Sequence, residues 1–251
     1  MAGLRADLAL VARGLFESRA KARAAIEAGR VTVDGRPVLK PSELLSDDAA
    51  VMAEPAHPWV GRGGLKLAHA LTIWPIAVAG RVVLDVGAST GGFTEVCLSR
   101  GARRVFAVDV GRDQLHARLA DDPRVTKLEA TDARSLGSDL VPEACDLIVC
   151  DVSFISLAKA LPAALALAAE GADLVALVKP QFEVGRALVG RGGLVRHAAA
   201  RRQAVDAVGT FLEASGWSVQ ADAESPVVGG QGAIEYLIWA RINSPDCYST
   251  T

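Results

Sequence analysis

The sequence predicts an α/β protein. A doubly wound domain on a mostly parallel sheet, with an antiparallel strand near its end, follows a small α+β domain. Three observations predict this. An apolar β-branched run, Val82-Val83-Leu84-Asp85-Val86, stops at the turn Gly87-Ala88-Ser89-Thr90-Gly91-Gly92 and continues from Phe93 into a helix-compatible segment. That is the strand–turn–helix opening of a nucleotide-type domain. From there to Ile242, apolar runs and helix-compatible segments alternate, as a parallel sheet with crossover helices requires. Ahead of this lies a segment of different character, basic and with its own turn signals. The domain ranges read 1–54 for the small domain, 55–60 for a linker, 61–245 for the large domain and 246–251 for a tail.

The small domain begins with a helix over Arg5 to Arg13. Ser18 is a good N-cap for a second helix, Arg19 to Ala28, which Gly29 closes. Val31 to Val38 alternates around Asp34-Gly35, a hairpin signal, and Ala49 to Ala53 adds a strand. Residues 1–40 carry eight Lys or Arg against four Asp or Glu. Such a run is either a solvated helix face or a phosphate-binding one, and charge alone does not separate them. Two prolines, Pro55 and Pro58, keep the linker extended.

In the large domain a helix is expected over Leu65 to Leu71. Strands are expected at Val82–Val86, Arg104–Val110, Val125–Ala130, Cys145–Val152 and Asp173–Lys179. Helices fall at Gly92–Ser99, Gln114–Ala120, Leu157–Ala168 and His197–Ala214. Trp217–Ala221 and Ala233–Ile242, split by Ser-Pro and Gly-Gly-Gln-Gly turns, read as a closing antiparallel pair.

Composition sets limits. With 251 residues, 51% of them hydrophobic, the chain has ample core for one large and one small domain. A net charge of −2 means that any polyanion binding must be local. No apolar run approaches the length of a membrane span, and the N-terminus lacks a signal-peptide core. A cytoplasmic protein without stable membrane association is expected. Cys97, Cys145, Cys150 and Cys247 form no CxxC pair and the four histidines are scattered, so no metal site is expected.

The ligand of the glycine turn can be narrowed. A nicotinamide site prefers G-x-G-x-x-G. Here Gly87 is followed by Ser89, not glycine, and Asp85 precedes the turn, a pattern that favours S-adenosylmethionine. The turn residues Gly87, Ser89, Thr90, Gly91, Gly92 and Phe93 are the candidate cofactor seat. Asp109, at the end of the next strand, suits ribose hydroxyls of either ligand. Asp132 suits the adenine edge, or alternatively caps a turn.

Three polar residues stand at or in apolar strands: Asp151, Lys179 and Glu235. A lysine directly after a buried strand needs a reason, because lysine is rarely buried unpaired. With Lys66 they resemble the Lys-Asp-Lys-Glu tetrad of FtsJ-like ribose 2′-O-methyltransferases. The small domain resembles the S4 RNA-binding module. Its signature here is Gly14-Leu15-Phe16 before Ser18-Arg19, then Ala28-Gly29-Arg30-Val31, Val33-Asp34-Gly35 and a trailing Lys40-Pro41. Adding Asp151-Val152-Ser153-Phe154-Ile155-Ser156-Leu157 and Leu177-Val178-Lys179-Pro180-Gln181-Phe182-Glu183-Val184-Gly185, nearly the whole chain is similar to the TlyA family.

That resemblance implies a Rossmann-like methyltransferase domain and transfer of a methyl group from S-adenosylmethionine to a ribose 2′-hydroxyl of a ribosomal RNA cytidine. Lys66, Asp151, Lys179 and Glu235 would be the catalytic group, with Asp151 also beside the cofactor. Lys179 would take the proton as a base or stay charged and stabilise the oxyanion, and the sequence leaves both open. Arg5, Arg19, Lys21, Arg23, Lys40, Arg62, Arg186 and Arg191 would meet RNA, the last two on a basic loop expected to be mobile. The partner would be ribosomal RNA or ribosomal subunits, with no protein partner evident. The end at Thr251, soon after the last strand, points to family members that act on 23S RNA rather than also on 16S. The rival readings are a membrane-active haemolysin, a name some family members carry, a non-catalytic RNA-binding protein, and a nicotinamide enzyme.

Overall fold

The computed structural model describes residues 3–243, so the predicted tail, the last residues of the 61–245 range and Cys247 lie outside the described residues. Contacts divide the chain into two compact units, Met1–Pro58 and Trp59–Thr251. Trp59 and Val60, expected in the linker, therefore belong to the large unit. Val60 is buried and its N–H donates to Glu95 Oε2 at 2.6 Å.

The small unit runs β1 (Leu4–Arg5), α1 (Ala6–Ala12), α2 (Arg19–Glu27), β2 (Val31–Val33), β3 (Arg36–Pro37), β4 (Leu44–Leu45) and β5 (Val51–Ala53). Ser18 Oγ accepts the Lys21 N–H at 3.3 Å, the expected cap of α2. Asp34 and Gly35 both have positive φ, +49° and +76°, so the β2–β3 hairpin turns as the Asp-Gly pair predicts. β5 pairs antiparallel with β2, and β1 with β4. The β1–β4 ribbon has two residues per strand, too short to show a period in sequence. Leu10, Ile26 and Val31 centre the core. Asp7, in the first turn of α1, is fully buried; Arg5 reaches it at 3.1 Å and Arg19 at 2.7 Å. Those two guanidiniums compensate a carboxylate that burial would otherwise make costly.

The large unit runs α3 (Gly63–Ile73), β6 (Val82–Val86), α4 (Gly92–Ser99), β7 (Arg104–Val108), α5 (Ala117–Ala120), β8 (Val125–Leu128), β9 (Cys145–Cys150), α6 (Leu157–Ala160), α7 (Pro162–Leu165), β10 (Ala168–Val178), α8 (Pro180–Glu183), α9 (Ala198–Ala214), β11 (Trp217–Glu224) and β12 (Tyr236–Ile242). Among the described residues seven strands form one sheet in the order β11-β12-β10-β9-β6-β7-β8. β12 runs antiparallel to both neighbours, and the other pairings are parallel. The antiparallel strand is thus last in sequence but one place in from the sheet edge.

Alternate strand residues enter two cores. Val83, Val105, Leu147, Val175 and Leu237 pack with Leu67 of α3 and Val96 of α4. Leu84, Phe106, Ile148, Leu174 and Ile238 pack with Leu157, Leu161 and, from α9, Val208 and Leu212. This is the period-two reading of strands buried on both faces.

Several element bounds differ from expectation. The helix expected over Leu157–Ala168 breaks into α6 and α7, because Pro162 has no N–H to continue the first. β10 then begins as early as Ala168. The strands expected to reach Val110, Ala130 and Val152 end at Val108, Leu128 and Cys150. The helix expected from Gln114 starts at Ala117, because Glu129 accepts the N–H groups of Asp113, Gln114 and Leu115 and holds that segment as a loop. Glu235, expected inside a strand, lies just before β12.

Candidate active site

β6 and β9 are sheet neighbours, but the chain visits β7 and β8 on the far side between them. That makes the β6–β9 boundary the topological switch point, where ligands of open α/β sheets bind beyond the carboxyl ends of the strands. The glycine turn leaves β6 there, and Asp151 leaves β9. They are in contact: a Cβ on Gly87 would meet the Asp151 carbonyl oxygen at 2.7 Å, and Gly87 has φ +85°. The turn is left-handed at Gly87, Ser89 (φ +47°) and Gly91 (φ +96°). Ser89 stands in this conformation without being glycine because its N–H donates to Asp109 Oδ2 at 2.8 Å, while Gly111 N–H donates to Oδ1 at 2.7 Å. α4 then starts at Gly92, with its first N–H groups toward the turn.

A cavity of about 220 Å³ opens here, lined by Gly61, Arg62, Gly63, the 87–90 turn, Gly92, Phe93, Asp151, Ser153 and Lys179. A bare-backbone cradle, a helix start for a carboxylate and an acid beyond β7 for a ribose fit S-adenosylmethionine. Asp132 is the turn cap that the sequence also allowed. It caps the 133–135 turn by accepting the Arg134 N–H at 2.9 Å, and Arg134 pairs with it at 2.6 Å, holding its carboxyl down to about 2. It is not among the residues lining the cavity.

A second cavity of about 540 Å³ adjoins it, with Arg62, Gly63, Ser153 and Lys179 in both linings. Lys66, Phe154, Gln181, Phe182, Val228, Gln231 and Glu235 complete much of its wall. The four tetrad residues meet at this junction. Lys66 Nζ donates to Glu235 Oε2 at 2.6 Å, and it is 3.9 Å from Asp151 Oδ2. Lys179 Nζ lies 2.6 Å from Asp151 Oδ1, an ion pair rather than an aligned hydrogen bond, and it donates to Ser153 Oγ at 2.8 Å. Lys66, Lys179 and Glu235 are all buried.

Asp85 lies beneath the site, fully buried in β6. Thr94 Oγ1 donates to its Oδ2 at 2.6 Å, and Oδ1 has no hydrogen-bond partner among the described residues. Burial pushes this carboxyl up to about 7, and the Asp151 charge adds to the rise against the Thr94 bond.

Sequence reasoning missed Ser153, Phe154 and Phe182. Phe154 is 90% exposed at φ +66°, and its ring lies 5.3 Å from that of Phe182. An exposed aromatic on strained backbone is a functional candidate. Its signal was position alone, inside the motif that begins at Asp151.

The predicted RNA contacts are distributed differently. Arg62 is exposed at the junction of the two cavities, and Arg186 and Arg191 are exposed on the loop whose Gly192 and Gly193 line the larger one. That loop carries two short 3-10 turns, Arg186–Leu188 and Arg191–Gly193. In the small unit, Arg5 and Arg19 bind Asp7, Lys21 pairs with Glu17, and Arg23 lies 3.7 Å from Glu27. Lys40 is exposed. Local acids thus neutralise much of the charge that the sequence count suggested.

The FtsJ-like methyltransferase family matches residues 59–242, and the S4 domain matches residues 4–51. The chain is 48% identical over 239 residues to the Mycobacterium tuberculosis protein named 16S/23S rRNA (cytidine-2'-O)-methyltransferase TlyA, covering 94% of this chain and 89% of that one. It is 33% identical over 202 residues to the Campylobacter jejuni protein named 23S rRNA (cytidine-2'-O)-methyltransferase TlyA, covering 80% and 78%. A solved structure from Streptococcus thermophilus that carries a hemolysin name superposes with a TM-score of 0.76 at 38% identity, covering 98% of this chain and 90% of that one. With both matched domains in order and this identity over nearly its whole length, the chain belongs to the TlyA family of FtsJ-like methyltransferases.

Proposed function

We propose that the protein transfers a methyl group from S-adenosylmethionine to the ribose 2′-oxygen of a cytidine in ribosomal RNA. The observation that carries this is the meeting of Lys66, Asp151, Lys179 and Glu235 where the cofactor cavity opens into the larger one. S-adenosylmethionine, when bound, supplies an electrophilic methyl on a sulfonium. The chain's own residues do the rest. Asp151 and Ser153 hold the Lys179 amino group at the boundary between cofactor and substrate. There it meets the 2′-oxygen, as proton acceptor or as the cation beside a developing oxyanion. Glu235 holds Lys66 within reach of the same Asp151, so the two lysines are spaced by acids.

The larger cavity suits a nucleotide taken out of its stack. Phe154 and Phe182 offer an aromatic surface, and single-stranded bases stack on such surfaces. Both relatives' names include 23S RNA. A 23S cytidine is therefore the first substrate to test, and 16S RNA the second arm of the same assay. The S4 unit would bind structured RNA by shape and phosphate, in ribosomal subunits or free RNA. A cytoplasmic location is part of this reading because its substrate is ribosomal. Among the described residues no helix is long and apolar enough to cross a membrane.

The test is incubation with methyl-labelled S-adenosylmethionine and unmodified ribosomal subunits or free rRNA. Alkali-resistant linkages at a cytidine are expected. Lys179→Ala should lose at least about 1,000-fold in turnover while RNA affinity stays within about threefold. Label on a base or on protein, or near-normal turnover in Lys179→Ala, would overturn the assignment.

A further inference from the structure

We propose that Ser153 is a positioning residue that aims the Lys179 amino group at the reacting oxygen. The proposal rests on the methyltransferase reading of this site and adds a residue outside the tetrad. Lys179 makes two polar contacts of different kinds. The one to Asp151 is a 2.6 Å ion pair that is not aligned as a hydrogen bond, so it sets where the charge sits but not which way its N–H groups point. The one to Ser153 is an aligned hydrogen bond of 2.8 Å. An amino group turns freely about its last C–N bond, and one directed bond fixes that rotation. The remaining tetrahedral positions on nitrogen are then set toward the cavities.

The place of Ser153 supports this. It is one of the residues lining both cavities, with Arg62, Gly63 and Lys179. The methyl must cross that shared boundary. Ser153 lies two residues past the carboxyl-edge Asp151, and Phe154 after it takes a left-handed φ of +66°. This turn presents the hydroxyl to Lys179 while the following ring points outward. Because Ser153 accepts from Lys179, its own O–H stays free to turn toward either cavity. Ser153 is exposed, so removing its oxygen leaves both cores intact. Misplacement of a reacting group by a fraction of an ångström to an ångström costs up to about 100-fold in rate.

The experiment compares Ser153→Ala, Ser153→Val and Ser153→Thr in the full-length protein, with rRNA and S-adenosylmethionine. Ala and Val are expected to lower kcat by about 10- to 100-fold, with both KM values within about twofold. Thr, which keeps the hydroxyl, is expected to stay within about threefold of the parent. A second readout needs no turnover: the Nζ signal of Lys179 in nitrogen-15 NMR should lose order in Ala and keep it in Thr. If the parent protein places no methyl on ribose, the methyltransferase reading fails, and the NMR comparison still decides the positioning role. A Ser153→Ala kcat within twofold of the parent, a Thr variant as slow as Ala, or an equally ordered Lys179 Nζ in Ala overturns the proposal.

Discussion

Lys66 Nζ and Glu235 Oε2 lie 2.6 Å apart, both buried, from positions 169 residues apart in the chain. The bond fastens α3, ahead of the sheet, to the turn that enters β12, its last described strand. A buried ion pair broken on one side strands the other charge, at a cost of roughly 3–5 kcal/mol. Glu235→Ala is therefore expected to lower unfolding free energy by about 3 kcal/mol and to remove activity. Lys66→Met with Glu235→Leu should recover most of that stability and none of the activity. Denaturant titration of Lys66→Met, Glu235→Leu and the double variant checks the coupling; additive losses would refute it.

Phe154 leads to a different expectation, because its ring is 90% exposed. Truncation should cost the fold little, while a base stacked on it is worth about 1–3 kcal/mol. Phe154→Ala is expected to lower kcat/KM for RNA by roughly 10- to 100-fold with an unchanged melting temperature, and Phe154→Trp to stay near the parent. Steady-state kinetics beside a thermal melt separates the two effects. A loss that appears only as lower stability would contradict the stacking role.

Asp85 sets a pH dependence. Its folded carboxyl titrates near 7, against about 3.9 in an unfolded chain. A raised value means that the folded state holds the proton more tightly. The stabilisation is complete below about pH 4 and is lost as pH rises to about 7. The term is on the order of 4 kcal/mol for a fully buried group. Asp85→Asn can still accept the Thr94 hydrogen bond and carries no charge. It should match the parent's stability below about pH 4 and exceed it at about pH 8. Equal melting temperatures at both values would count against this account.

Asp7 gives the opposite sign in the small unit. Arg5, then Arg19, hold its carboxyl down to about 2 against the effect of burial. A depressed value means that the stabilisation is present above about pH 4 and is lost as pH falls toward 2. Asp7→Asn should abolish that acid-side loss and lower stability at neutral pH. Amide-exchange protection in residues 6–27, corrected for intrinsic exchange and followed from about pH 5 to about pH 2, reads it directly. Protection in the parent that does not fall with acid would rule it out.

Much of the molecule was legible locally. The Ser18 cap, the Asp34-Gly35 hairpin, and β6 with its glycine turn and α4 all depend on neighbours within a few residues, and such signals are written in the chain. Resemblance supplied the tetrad, whose members are far apart in sequence. Element ends were less legible. Glu129 pulls the 113–115 segment out of helix from across a loop, and Pro162 splits a run that periodicity alone would join.

The sequence by itself determined the order of strands and helices, the two-domain plan and the cofactor-type turn, because these follow from period and turn chemistry, while the candidate tetrad came from resemblance. Only the tertiary structure decided what those residues touch. It joined Lys66 to Glu235, turned Ser153 toward Lys179, exposed Phe154 beside Phe182, and paired Arg5 and Arg19 with Asp7. The physical reason is common to all four. Hydrogen bonds and ion pairs act over about 3 Å, and across elements such distances are set by how the sheet and its helices pack.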